Sequence, residues 1–409
     1  MIPKTAQSNT TLLQQLCKLI PLGLLNRLAK DTGVQQKARK FTPMSHVVAM
    51  LFAQLARVVS LSDLKDCLRL KSGVLKRFSI HSPGKNTLAH ANKNRDSKFI
   101  ENLFWELHHT FCTQSPMFAK GKRNKSPLHR FKFRRIHAMD STVVKLVSNT
   151  IDWAKYRARK AAAKVHVRLD LRTFLPSFVA IGKGSQNDVA RATELCAGLK
   201  EGEIVLMDRG YNDYTFFDAL DKRGVYWVTR AKDNMEYVVI EQLTTGHKDI
   251  VKDELVHLPN ADNPDMTVRR VEAYVEVDGE RRLMVFITNN EQWSPRTVCD
   301  LYQRRWDIEV FFKQIKQVLH INSFLGYSEN AVAWQIYSAL LMYLLLRYQA
   351  FLSKWTCSFT QTFTRFRAAM WEFVAIGSLM DCYGTATEPP PVPNAPQQAY
   401  FTGFEACMA

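Results

Sequence analysis

Acidic residues are the scarce class in this sequence. Across 409 residues, 38 Asp and Glu stand against 56 Lys and Arg, a formal net charge of +18. That deficit argues against a strongly acidic surface and favours polyanionic partners, either nucleic acid or an anionic membrane surface. A solvated basic surface with no specific partner is the plainer alternative. Paired cysteines are missing too. Cys17, Cys67, Cys112, Cys196, Cys299, Cys357, Cys382 and Cys407 form no CxxC pair and do not cluster with histidines. This speaks against a zinc module and a disulfide framework, and scattered thiols suit a reducing, cytoplasmic setting. The opening MIPKTAQSNT lacks the apolar core of a signal peptide. The one long apolar run, from Val332 to Leu352, contains Gln335, Ser338, Arg347 and Gln349. Charge within hydrocarbon is costly, so the run reads as a buried helix and no membrane partner is expected. There is no internal repeat.

What is present divides into zones. Residues 11–85 read as short helices, with apolar positions at helical spacing in Leu12, Leu13, Leu16, Leu19 and Ile20 and again from Val47 to Val58. Pro21, Gly33, Pro43 and Gly73 mark breaks. A basic helical domain fits DNA binding; a helical cap packed on a catalytic core is the alternative, and no helix-turn-helix signature decides between them. Residues 99–113 form one more helix. A connector from Phe118 to Arg135 follows, with Lys120, Lys122, Arg123 and Lys125 among eight cations and no acid. Such a segment lies along phosphates or stays solvated.

After Arg135 the pattern becomes strand-like at Ile136–Leu146, Lys164–Arg172 and Ser177–Ile181, with a turn at Leu175-Pro176. A helix at Asp188–Leu199, a buried strand at Ile204–Met207, a helix at Tyr214–Arg223 and a strand at Val225–Thr229 indicate an α/β domain. Residues 232–290 read as a mostly β insertion, with strands at Tyr237–Ile240, Val268–Val277 and Leu283–Thr288 and a turn at Asp278-Gly279. From Pro295 the chain reads as helical to about Asp381, and the tail EPPPVPNAPQQ reads as disordered.

Three acids attract notice. Asp208 ends the apolar run IVLMD, which would put a carboxylate at the carboxyl edge of a buried strand, where α/β sheets hold ligand sites; a helix N-cap is the ordinary alternative. Asp140, in IHAMDSTVV, is a charge amid strand residues, costly unless paired or metal-bound, or else a residue on a half-exposed strand. The segment LYQRRWDIEVFFKQIKQVLH, 301–320, is the most informative. As one helix at about 100° per residue, Tyr302, Arg305, Glu309 and Lys316 share a stripe roughly 60° wide. Leu301, Ile308, Phe312, Ile315 and Leu319 form the apolar stripe beside it. A helix of this kind would deliver a glutamate to a sheet edge. Surface salt bridges of Glu309 with Arg305 or Lys313 are the alternative.

The spacing Tyr302-x2-Arg305-x3-Glu309-x6-Lys316 resembles the Tyr-Arg-Glu-Lys signature of a large bacterial insertion-sequence transposase family, the fourth in the usual naming. Asp140 in MDST and Asp208 in DRGY are similar to its first and second acidic motifs. The stretches LLQQLCKLIP, RKFTPMSHVVAMLFAQL and LSDLKDCL resemble the helical domain that opens one branch of the family, so the similarity covers about residues 10–350. The resemblance implies a ribonuclease-H-like catalytic core interrupted by a β insertion, with Asp140 on the first strand, Asp208 on the fourth and Glu309 on a helix after the insertion. It implies two Mg2+ ions, with Mn2+ as substitute, held by those three carboxylates. It implies cut-and-paste cleavage and strand transfer, through a hairpin on the transposon end, by a homodimer on double-stranded DNA comprising terminal inverted repeats and target. The setting would be the bacterial cytoplasm at the nucleoid. Tyr302, Arg305 and Lys316 would contact phosphate or base; Lys313, Arg209, Arg230 and the connector residues Lys120, Lys122, Arg123 and Lys125 are further expected DNA contacts. The sequence departs from the family at one point: where an aromatic that stacks on a flipped base is expected, it has Leu283 and Met284, and Trp227 and Trp293 lie elsewhere. A domesticated enzyme, or a DNA-binding relative with a decayed site, is the alternative function.

The expected organisation is an α-helical N-terminal DNA-binding domain (1–98), a helix plus basic connector (99–134), a first core part (135–231), a β-rich insertion (232–294), a second core part with the glutamate helix (295–352), a helical C-terminal region (353–386) and a disordered tail (387–409).

Overall fold

A computed structural model describes residues 6–35, 39–121, 131, 134–146, 155–157, 160–183, 189–259, 263, 266–277, 279–318 and 324–380. Lys122, Arg123 and Lys125, the residues around Asp188 at 184–188, Asp278 and the tail 387–409 lie outside this set.

The first zone is helical: α1 (Leu12–Cys17), α2 (Leu22–Asp31), α3 (Pro43–Ala56), α4 (Leu61–Leu70), α5 (Ser72–Lys76), α6 (Lys85–Asn94), α7 (Lys98–Gln114) and α8 (Pro116–Lys120). Thr11, Thr42 and Ser60 each cap a helix start by accepting a backbone N–H, and Pro43 opens α3 where its missing donor costs nothing. The break at Pro43 is thus a helix start, whereas Gly73 lies inside α5. Helix α3 is buried on every side from Pro43 to Leu55, as expected of a helix apolar all round. It packs on the later helix α13 (Glu329–Leu352), which is likewise buried along most of its length. The long apolar run at 332–352 is therefore core, and among the described residues no single helix is long and apolar enough to cross a membrane.

One sheet organises the rest. Its strands are β1 (Ile136–Leu146), β2 (Lys155–Arg157), β3 (Lys160–Asp170), β4 (Leu175–Lys183), β5 (Ile204–Met207), β6 (Tyr226–Arg230), β7 (Val238–Gln242), β8 (Ile250–His257), β9 (Thr267–Val277) and β10 (Glu280–Thr288). Strand β3 pairs antiparallel with both β1 and β4, whereas β1, β5 and β6 run parallel. An antiparallel meander joined to two parallel strands, with β1 between β3 and β5, is the ribonuclease-H arrangement. Helices α9 (Val189–Cys196) and α10 (Tyr214–Asp221) lie in the crossover connections that parallel pairing requires. The β4–β3–β1–β5–β6 half is then extended by the insertion, because β10 pairs antiparallel with β6 and carries β9, β8 and β7 outward. The insertion continues the core sheet.

Several local expectations need adjustment. The turn before β4 lies at Leu171–Phe174, with Phe174 in the left-handed region at φ 58°, and Leu175 and Pro176 already belong to the strand. Strand β8 is not anticipated from the sequence, because IVKDELVH interrupts its apolar run with charges. Those charges are internal partners: Asp253 pairs with Arg269 and Glu254 with Arg270, all four nearly fully buried. The stretch 301–320 is no single helix. After α11 (Pro295–Gln303) come a tight 3-10 turn (Arg304–Trp306), α12 (Asp307–Lys313) and a wider π turn (Gln314–Val318). Beyond α13, helix α14 (Phe359–Ala369) packs back on α3, and the N-terminal strand-like residues clasp the C-terminal region, with Ser8 N donating to Phe373 O and Ala375 N to Ala6 O.

Candidate active site

The sheet brings Asp140 and Asp208 together through register. In the parallel pair of β1 and β5, Met139 lies level with Met207. Side chains alternate between faces along a strand. Ala138 and Leu206 face the larger core, which also holds Ile308 and Phe311 of α12; Met139 and Met207 face the smaller core beside α9 and α10. The next residue on each strand returns to the α12 face, so the two aspartates stand side by side where β5 ends. Asp208 precedes a 3-10 turn (Arg209–Tyr211) but makes no side-chain capping bond, so the N-cap role is not taken up. Asp140 accepts the Ser141 backbone N–H at 2.7 Å.

Glu309 arrives from α12, which packs against β1. Between it and the aspartates sits Arg305, whose side chain is only 7% exposed. One guanidinium nitrogen lies 2.9 Å from Glu309 Oε1 and the other 3.5 Å from Asp140 Oδ2. Its Nε is buried without a hydrogen-bond partner among the described residues. The Tyr302 ring centroid lies 5.6 Å from the guanidinium carbon, and the Trp306 ring centroid lies 5.3 Å from it. A narrow cleft lined by Asp208, Arg230, Met284, Tyr302, Arg305 and Trp306 opens here.

The electrostatics follow from burial. Burial pushes the Asp140 carboxyl up to about 6; Asp208 and Glu309 nearby act in the same sense, while Arg305 and the Ser141 N–H oppose it. Burial also pushes the Tyr302 hydroxyl up to about 12. Burial would lower the Arg305 guanidinium, but Tyr302, Asp140, Glu309 and Asp208 outweigh it and hold the charge firmly in place. The site is thus a nest of acids organised around one cation. As they stand, the acids enclose the guanidinium, and among the described residues no group of three or more His, Cys, Asp or Glu is close enough to share a metal ion.

A profile of the transposase DDE domain matches residues 131–345, more than half of the chain. The chain belongs to the DDE transposase family. The match contains the whole sheet and all three acids. A second profile, for a domain of unknown function (DUF4372), matches residues 8–80, within the N-terminal helices. Among relatives, the transposase for insertion sequence element IS231E of Bacillus thuringiensis subsp. finitimus is 23% identical over 375 residues, 78% of this chain and 75% of that one. The protein y4zB of Sinorhizobium fredii, which carries a transposase name, is 28% identical over 282 residues, 67% of this chain and 74% of its own. A cryo-EM structure of the piggyBac transposase synaptic complex with hairpin DNA aligns with a TM-score of 0.44 at 10% identity, covering 94% of this chain and 84% of that one.

The other residues singled out from sequence are dispersed. Arg230 lines the cleft at the end of β6. Arg209 is half-exposed and reaches Asp233 at 3.2 Å. Lys313 is exposed, and Lys316 is half-buried on the π turn. Lys120 is exposed at the end of α8. Trp227 is fully buried and stacks on Phe217 at 4.1 Å, and Trp293 packs between Phe131 and Tyr226. Sequence reasoning passed over Trp306, the tryptophan that does reach the site. Its place next to Arg305 in the sequence was the available signal.

Proposed function

We propose that this chain is the transposase of an insertion sequence, cleaving and joining DNA strands with Asp140, Asp208 and Glu309 as the reacting centre. The observation that carries the reading is the juxtaposition of Asp140, within β1, and Asp208, just past the end of the parallel neighbour β5, with Glu309 tied to Asp140 through one guanidinium. The donor set is oxygen only, which suits Mg2+, with Mn2+ as substitute. The three carboxylates would hold two such ions, and the Arg305 guanidinium already occupying the nest marks it as a seat for positive charge. The chemistry that such ions would supply there is activation of the attacking water or 3′-hydroxyl and neutralisation of the leaving oxygen.

The chain's own groups do the remaining work. Burial pushes the Asp140 carboxyl up to about 6, and a cation bound beside it would favour its ionised form. Arg305 has a free Nε and can turn its planar fork toward a phosphate. Tyr302 stays protonated and can donate to a phosphate oxygen. Trp306 offers a flat face beside the scissile position. Lys316, Lys313, Arg209 and Arg230 bring further charge to the DNA, as do Lys120 and the connector residues Lys122, Arg123 and Lys125. Cleavage proceeds by cut-and-paste through a hairpin, in a homodimer that holds two inverted-repeat ends, with the N-terminal helices contributing DNA binding.

The test is to incubate the protein and Mg2+ with a duplex taken from the genomic boundary of its own reading frame. Native and denaturing gels distinguish nicks, hairpins and double-strand breaks. Boundary-specific cleavage with hairpin products is expected. Binding to the boundary with no cleavage in either Mg2+ or Mn2+ would leave a DNA-binding relative with a decayed site.

A further inference from the structure

The N-terminal helices hold a second feature that the carboxylate site does not use. Between Asp66 and Asp96 the sequence has no acid and seven Lys and Arg. Six of these, Arg69, Lys71, Lys76, Arg77, Lys85 and Lys93, are exposed. Helix α6 is the centre of this surface. It buries Leu88, Ala91 and Asn92, and exposes Lys85, Asn86, Thr87, Ala89, His90, Lys93 and Asn94. At about 100° per residue the buried three span roughly 100°, which leaves a polar face about 200° wide without one carboxylate. Other surface helices of the same region differ: α2 ends on Asp31, and α7 carries Glu101 and Glu106. Ala89, the small residue amid the polar face, lets a groove wall come close to the helix backbone.

The mounting of α6 is stiff and leads to the active site. The Asn92 side chain bonds the buried His46 at 2.8 Å. From α13, Asn330 Nδ2 donates to Asn92 O at 2.9 Å and Arg95 O at 2.7 Å, and Trp334 Nε1 donates to Arg95 O at 2.7 Å. Further along α13, Tyr343 packs edge-on against Phe311 of the Glu309 helix at 5.3 Å. One buried helix thus carries α6 at one end and backs α12 at the other.

We propose that α6 is the base-reading helix of this protein, lying in the major groove of duplex DNA. The exposed side chains suit that groove. Asn pairs in a two-pronged way with the adenine edge, His can meet a base N7, and the groove admits one helix. Lys85 and Lys93, with the cations of α4 and α5, lie where the flanking phosphates would pass, and they set register without reading sequence. The inference needs DNA as partner, which the proposed function supplies, but it needs no intact carboxylate triad.

The experiment is a selection from a duplex library with a randomised core, run on the full-length protein without divalent metal. Wild type should enrich one motif over random duplex. Asn86→Ala with His90→Ala should lower the preference for that motif by about tenfold or more while leaving affinity for random duplex nearly unchanged. Lys85→Gln with Lys93→Gln should weaken motif and random duplex alike, and reduce the log–log salt slope by about 0.9 for each phosphate no longer neutralised. All four side chains are solvent-facing, so melting temperatures should stay at the wild-type value. The inference is overturned if Asn86→Ala with His90→Ala enriches the same motif at the same ratio, or if wild type enriches no motif over random duplex. Failed cleavage with intact motif selection would count against the catalytic reading alone.

Discussion

Removing Arg305 should expose how the acidic nest is held together. Its side chain is 7% exposed and joins Glu309 at 2.9 Å and Asp140 at 3.5 Å. Taking one partner from a buried ion pair costs about 3–5 kcal/mol, because the remaining charge stays out of water. Here the loss falls at the low end of that range. Glu309 is 38% exposed and can be hydrated, so the cost falls on Asp140, which is 22% exposed. Asp140 has a way out, since burial already puts its carboxyl at about 6 and loss of the cation pushes it higher. It therefore takes up a proton near neutral pH and limits the penalty. Arg305→Ala should destabilise the metal-free protein by about 3 kcal/mol at pH 8. The penalty should shrink by about 1.4 kcal/mol per pH unit as Asp140 becomes protonated. Mg2+ should stabilise the variant more than wild type, because the guanidinium no longer competes for the nest. Arg305→Lys should recover little, as a point charge cannot bridge both acids. The assay is urea unfolding at pH 8 and pH 5.5, with and without Mg2+. A variant as stable as wild type at pH 8, or one that Mg2+ stabilises less than wild type, would show that Arg305 does not hold the acids.

Other outcomes follow from other contacts. His46 is buried against Asn92 and Trp334, and burial drops its pKa to about 3. A base whose folded pKa is depressed binds its proton mainly in the unfolded chain, so stability is lost as pH falls below about 6.5, by about 1.4 kcal/mol at pH 5.5. Acid unfolding of wild type against His46→Gln, which removes this term, measures it; equal slopes would place His46 outside the acid response. The Asp253–Arg269 pair is almost fully buried, so Asp253→Ala should cost about 3–5 kcal/mol and loosen the insertion, read by denaturant melts and amide exchange at β8 and β9. A loss under about 1 kcal/mol would mean that water reaches the pair. Neutralising Lys120, Lys122, Arg123 and Lys125 together should flatten the salt dependence of DNA binding without changing its sequence preference; an unchanged slope would place the connector off the DNA.

Much of this was legible in the sequence because the signals were local. IVLMD is a buried parallel strand ending in an acid, and only its register with IHAMD was hidden, since pairing depends on partners far apart in the chain. The Arg305–Glu309 contact survives any helix-like geometry, being four residues apart. The π turn at Gln314–Val318, on which Lys316 stands, was not legible either, because a simple wheel assumes one pitch throughout. Strand β8 was invisible because its buried acids are satisfied by arginines on β9, a cancellation that composition cannot show. The insertion itself was legible from its strand-like runs, but its attachment was not, because its last strand hydrogen-bonds β6 across a long stretch of chain and so continues the core sheet.

The most direct test of the account compares single-turnover cleavage of a boundary duplex by wild type, Asp140→Asn, Asp208→Asn and Glu309→Gln, with duplex binding measured in parallel. Each substitution keeps the side-chain shape and removes one carboxylate charge. The account predicts that all three bind within about threefold of wild type and that each loses at least about a thousandfold in rate, on the scale of removing a group that stabilises the transition state directly. Near-wild-type cleavage by any one of the three would contradict the assignment of a single site built from Asp140, Asp208 and Glu309.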